Sequence, residues 1–121
     1  MTLERKNTGK AGEEAAARYL SGRGFKILSR NYVCPLGELD VIAQDGDVLV
    51  FVEVRARTGT VFGLPQESIT TKKRRKLRQL AWYYLKATNQ AAASCRFDAV
   101  AVLLDRNTGA LRKIEHIPNA F

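Results

Sequence analysis

The chain has one histidine and two cysteines among its 121 residues. Cys34 and Cys95 are too few and too far apart for a zinc site, and one disulfide would be an odd framework for a domain of this size. Both are expected as reduced thiols of a cytoplasmic protein. His116 falls in a strand-like tail, where a structural role outweighs a catalytic one. No apolar run approaches the roughly 20 residues that cross a bilayer, so a membrane span is not expected. The opening MTLERKNTGK lacks an apolar signal core, which argues against export. Internal repeats and low-complexity tracts are absent. Acids are scarce too: 12 Asp and Glu stand against 20 Lys and Arg, for a net charge of +8. That balance favours an anionic partner, nucleic acid first and an acidic membrane surface second.

What is present describes one soluble domain over residues 1–121. Apolar residues make up 45% and charged residues 26%, and this length suffices to bury roughly two thirds of the unfolded surface. In GKAGEEAAARYLSGR (residues 9–23), Ala11, Ala15, Ala16, Tyr19 and Leu20 recur at helical spacing, with Gly22 and Gly24 ending the helix. FKILSRNYV then alternates as a strand and CPLG turns. Residues 38–44 and 48–57 form a hairpin around DGD. TGTVFGLP is a loop, and a helix at about 70–88 follows, capped by Thr70 or Thr71, with Leu77, Leu80, Ala81, Tyr84 and Leu85 as its core stripe. CRFDAVAVLL and ALRKIEHI are two more strands, the last at an edge. The fold class is α/β, a mixed sheet flanked by helices in the order αβββαββ.

The hairpin GELDVIAQDGDVLVFVEVRAR carries charge where burial is expected. Alternation puts Glu53, Arg55 and Arg57 on one face with Leu49 and Phe51, and Asp40 on a face with Ile42. A loop at Gly46-Asp47 sets Asp40 opposite Glu53, and one at Asp45-Gly46 sets it on the diagonal. Either way two carboxylates share a face at about 5 Å or about 7–8 Å between Cβ atoms. They would repel unless a cation lies between them. Hard ions such as Mg²⁺ or Mn²⁺ suit oxygens at that separation. The alternative is an ion-pair ladder in which Arg55 or Arg57 neutralises both acids.

Two further features favour the metal. Glu13 adds a third carboxylate from the first helix, and KKRRKLR (residues 72–78) places six positive charges in seven positions. Lys72, Arg75, Lys76 and Gln79 share a helical face away from the core stripe. A run so dense, with no interleaved acid, is either a solvated face or a phosphate-binding surface. Carboxylates, a hard metal and bound phosphates together point to phosphodiester hydrolysis.

GELD, twelve residues, then EVR resembles the D-x(n)-E-x-K signature of the PD-(D/E)XK, restriction-endonuclease-like nucleases. The longer pattern GKAGEEAA, GELDVIA, FVEVRAR and RFDAV, spread over nearly the whole chain, resembles the uncharacterised bacterial YraN-like family, related in turn to archaeal Holliday-junction resolvases. The resemblance implies a restriction-endonuclease-like core and Mg²⁺ or Mn²⁺ held by Asp40, Glu53 and the Val54 carbonyl, with Glu13 added from the helix. It makes Asp40, Glu53 and Arg55 the catalytic group. Arg57, Lys72, Lys73, Arg75 and Lys76 would contact branched or duplex DNA. Arg55 stands where the family pattern has lysine. Arginine stays protonated, so it can supply charge but not take a proton from water. Three functions are therefore open: a metal-dependent deoxyribonuclease acting on DNA, including branched intermediates; a DNA-binding module of the same fold with weak or no catalysis; and a structural or RNA-associated protein whose acids only form ion pairs. An activity on both strands implies a homodimer.

Overall fold

Among the described residues, the elements run α1 (Leu3–Gly22), β1 (Lys26–Cys34), β2 (Gly37–Asp45), β3 (Val48–Thr58), α2 (Thr71–Ala87), β4 (Cys95–Leu104) and β5 (Leu111–Ile117). They come from a computed structural model that describes residues 3–60 and 70–121. Most of the expected TGTVFGLP loop lies outside those residues. The order is the αβββαββ read from the sequence.

The five strands form one mixed sheet in chain order. Every neighbouring pair is antiparallel except β3 and β4, which run parallel. A parallel pair needs a crossover, and α2 lies in it. The two helices cover opposite faces. Val50, Val52, Val100, Val102 and Leu104 pack with Ala16 and Leu20 of α1. Leu49 and Phe51 pack with the expected α2 stripe of Leu77, Leu80, Ala81, Tyr84 and Leu85. Burial on both faces is why VLVFV and DAVAVLL read as apolar runs and not as alternations.

Chain chemistry sets the helix ends. Gly24 adopts φ 96°, and the Phe25 N–H donates to the Leu20 carbonyl at 3.0 Å, closing α1. Asn89, at φ 58°, does the same for α2, with the Gln90 N–H on the Leu85 carbonyl at 2.7 Å. Thr70 is the N-cap of α2, accepting from the Lys73 N–H at 3.1 Å. α1 starts at Leu3 and not at position 9. The polar LERKNT segment has good helix formers but no apolar stripe to announce it.

Two readings of the hairpin change. Asp45 pairs with Val48 and Ile42 with Phe51, so the loop is Gly46-Asp47 and the Asp45-Gly46 alternative falls. Strict alternation in β2 also fails. Leu39 and Ile42 both pack under α2 while Val41 packs under α1, so the strand changes phase at Asp40. The residue facing Asp40 across β1 is Asn31, held at φ 54°. Position 40 is thus a local break in the pleat, and its side chain is free to turn from the face it was expected to share with Ile42.

Candidate metal centre and phosphate surface

The ladder between β2 and β3 stops at Val41 and Val52. Beyond it the Val54 N–H donates to the Asp40 carboxylate at 2.8 Å. Asp40 therefore closes the gap where the two strands part, its side chain replacing a backbone acceptor. The N–H and C=O of one strand residue point to the same side, so the Val54 carbonyl faces the same gap.

α1 brings the next carboxylate. Gly12 lies so close to β3 that a Cβ there would collide with that of Ala56. This approach sets Glu13 at the gap, where one oxygen each from Glu13, Glu38 and Asp40 lie within 4.8 Å of one another. Only a small adjustment separates that span from oxygens ligating one ion at about 2.0–2.2 Å. Asn31 orders two of them: with its amide nitrogen turned to the acids, it donates to Glu13 at 2.6 Å and to Glu38 at 3.0 Å.

Two of these acids, Asp40 and Glu13, resist ionisation. Burial pushes the Asp40 pKa up to about 6, with repulsion from Glu53 and Glu38 adding to it and the Val54 N–H and Arg55 opposing. Glu13 is raised by burial and then by Asp40 and Glu38, with Arg30 and Asn31 pulling it back. Among the described residues Asp40 has no ion-pair partner.

Glu53 stands slightly apart from this group, on the α2 side of β3. Lys73 of α2 pairs with it at 3.0 Å and Arg55 at 3.5 Å. Burial raises its pKa and Arg55 lowers it. Even so, Glu53 Oε2 and Arg55 Nε are both buried without a hydrogen-bond partner. Glu53 Oε2 meets only Arg55 Nη2, at 3.5 Å, and Arg55 Nε meets no acceptor, which leaves room for a cation and an anion. This donor set fits a hard divalent ion.

The ladder reading thus holds for Glu53 and fails for Asp40. Arg57, two residues beyond Arg55 on β3, is half-buried. Lys72, Arg75 and Lys76 are exposed on α2 and, with Thr70, Lys73 and Gln79, line a groove of about 570 Å³. Lys73 joins that groove to Glu53. Sequence reasoning missed Glu38, although period-two alternation puts it on one face with Asp40; its place inside GELD was the available signal. It also missed Asp98, a lone acid in an apolar strand. Asp98 is fully buried and takes the Arg96 Nε–H at 3.1 Å, the Asn119 N–H at 3.0 Å and His116 Nε2 at 2.7 Å. His116 accordingly lies against a structural acid at the C-terminal tail. Cys34 and Cys95 are unpaired thiols. Among the described residues no helix is long and apolar enough to cross a membrane.

Residues 12–102 match the model of the uncharacterised protein family UPF0102. The chain is 60% identical to a UPF0102 protein of Pelotomaculum thermopropionicum over the full length of both chains. A Moorella thermoacetica UPF0102 protein is 50% identical, again over all of both chains. One from Caldanaerobacter subterraneus is 41% identical over 98% of each.

Proposed function

We propose that this chain, which belongs to the uncharacterised UPF0102 family of YraN-like proteins, is a divalent-metal-dependent nuclease acting on DNA. The observation that carries the reading is the orphaned pair of Glu53 Oε2 and Arg55 Nε beside an Asp40 held near pKa 6. The ladder engages Glu53 through Arg55 and Lys73, but among the described residues it leaves Asp40 without a cation and Arg55 Nε without an acceptor. Glu13, Glu38, Asp40 and Glu53, with the Val54 carbonyl, are the residues that would hold Mg²⁺ or Mn²⁺. Such an ion supplies Lewis acidity to a phosphoryl oxygen and acidifies a water.

The chain's own groups do the rest. Arg55 presents a buried donor without a partner, suited to a phosphoryl oxygen as it gains charge. Asn31 holds Glu13 and Glu38 in place, so that the acids need not be ordered when the ion arrives. The α2 row of Lys72, Arg75 and Lys76 takes neighbouring backbone phosphates, which fixes register without reading bases. Cutting both strands of a branched DNA calls for a second copy related by a two-fold axis.

A second reading keeps the fold and DNA binding without efficient cleavage. The Lys73–Glu53 pair at 3.0 Å favours it, because a ligand so neutralised binds a cation less well. The test incubates purified protein with linear, single-stranded and four-way DNA, with and without Mn²⁺. Mn²⁺-dependent cleavage that Asp40→Asn abolishes is the expected result. Binding without cleavage on every substrate selects the second reading. Absence of both DNA and Mn²⁺ binding rejects the two together.

A further inference from the structure

We propose that the outer end of α2 is a stacking site for an unpaired base, so that the preferred nucleic acid carries a single-stranded segment. The proposal rests on the phosphate-binding half of the reading above, not on chemistry at Asp40. Trp82, Tyr83 and Leu36 are 51%, 39% and 42% exposed, far more than large apolar side chains elsewhere on this helix. They gather where the β1–β2 turn meets α2, around a groove of about 400 Å³ completed by Gln79, Lys86 and Ala87. Trp82 also walls a second groove of about 480 Å³, lined by Thr71, Arg74, Arg75, Arg78 and Gln79. Among the described residues neither groove has an acidic residue in its lining. Lys86 Nζ lies 5.8 Å from the centre of the Trp82 ring.

Flat aromatic surface among unopposed cations selects a partner with π-faces and negative charge. Single-stranded nucleic acid has both, and the combination of a basic track with a stacking platform is how such strands are bound without sequence preference. A second copy of this helix would set cation against cation. A bilayer surface would call for apolar residues along the outer face. Here they occupy one end only, and the rest is Lys, Arg and Gln. The geometry continues to the acids. Gln79 lines the Trp82 grooves and the groove that reaches Lys73. Nine helical residues separate Lys73 from Trp82, about 14 Å of rise, equal to about four stacked nucleotides at roughly 3.4 Å each. Those nine steps are about two and a half turns, so a strand running from Trp82 to Lys73 would cross the helix over Gln79, and about four nucleotides is the shortest such path.

Trp82 is the chain's single tryptophan, so its emission reports this site alone. The experiment titrates the full chain with a thymidine oligonucleotide of about eight nucleotides. An abasic phosphodiester of equal length, blunt duplex and phosphatidylglycerol vesicles are titrated in parallel. Stacking predicts quenching by the thymidine strand and none by the abasic one. Trp82→Ala should weaken thymidine binding by roughly 5- to 150-fold and leave abasic binding unchanged, while Trp82→Phe keeps most of it. Equal thymidine affinity in Trp82→Ala overturns the proposal. So does emission that responds to vesicles, or to protein concentration, and not to thymidine. Asp40→Asn should quench like wild type. If metal-dependent cleavage fails while quenching holds, only the nuclease reading falls; if cleavage holds and Trp82 is silent, only the stacking site does.

Discussion

Two acids on neighbouring parts of the sheet show how differently one side chain can be used. Asp98, fully buried, is met by the Arg96 guanidinium, His116 and a backbone N–H, with Arg96 reaching on to Asp45 at 3.1 Å. Asp40, less buried, has one backbone donor and three other carboxylates around it. The first is finished by the protein itself and ties the C-terminal tail to β4. The second is left short of positive charge. Burial alone thus says little about role; what distinguishes the two is whether the protein supplies the compensating groups.

The largest expected effect tests the unfinished site. Arg55→Ala should slow Mn²⁺-dependent cleavage by roughly 10²–10³, the scale for one preorganised donor to a developing oxyanion. Arg55→Lys should keep most of the rate, and Mn²⁺ affinity by calorimetry should not fall in either. A wild-type rate in Arg55→Ala would return Arg55 to the ion-pair ladder.

Next come the two acids side by side. Asp98→Ala removes the acceptor of His116 and the Asn119 N–H and leaves Arg96 with Asp45 alone; it should cost about 3 kcal/mol of stability, lowering the midpoint of thermal unfolding by on the order of 10 °C. Asp40→Asn should unfold no earlier than wild type at pH 8, and Mn²⁺ should no longer raise its midpoint. If the two substitutions destabilise equally, the contrast between finished and unfinished acids disappears.

The pH dependence follows from Asp40. A carboxyl that resists ionisation in the fold favours folding fully while protonated, below its ordinary 3.8, and that contribution is lost as pH rises through about 6. Urea unfolding should therefore show stability falling over this window by on the order of 3 kcal/mol. Mn²⁺ should restore it, and Asp40→Asn should flatten the curve. Stability that instead rises between pH 4 and 7 would mean that the acids are already compensated.

The smallest effect concerns cations. Lys73 and Arg55 are engaged by Glu53, whereas Lys72, Arg75 and Lys76 have no acidic partner among the described residues. Replacing those three with alanine should flatten the log–log salt dependence of duplex binding by roughly 0.9 for each phosphate no longer neutralised. An unchanged slope would identify a merely solvated face.

The fold was legible because its signals are local. The α2 stripe, the Gly24 stop and the apolar runs of β3 and β4 each follow from side chains a few residues apart. The site was legible only in part. Asp40, Glu53 and Glu13 could be named from GELD, VEVR and the first helix, but their grouping depends on a phase change at Asp40 that period-two reasoning does not contain. That break leaves Glu53 on the far side of β3 with Lys73, apart from Glu38 and Asp40. The Gly12–Ala56 approach, which delivers Glu13, joins residues remote in sequence. The same is true of Asp98, two of whose partners come from β5 and the tail.

The parallel pairing of β3 with β4 also carries a consequence in time. β1, β2 and β3 are joined by short turns and can zip together locally, whereas Leu49 must wait for Cys95, 46 residues away. Long-range closure of this kind is slow. The meander would therefore assemble Glu38, Asp40 and Glu53 before α2 delivers Lys73, so that folding passes through a stage more acidic at this edge than the finished protein. Divalent cations should then quicken refolding in stopped-flow mixing by more than they slow unfolding, and refolding rates indifferent to Mn²⁺ would place the docking of α2 before the closure of the strands.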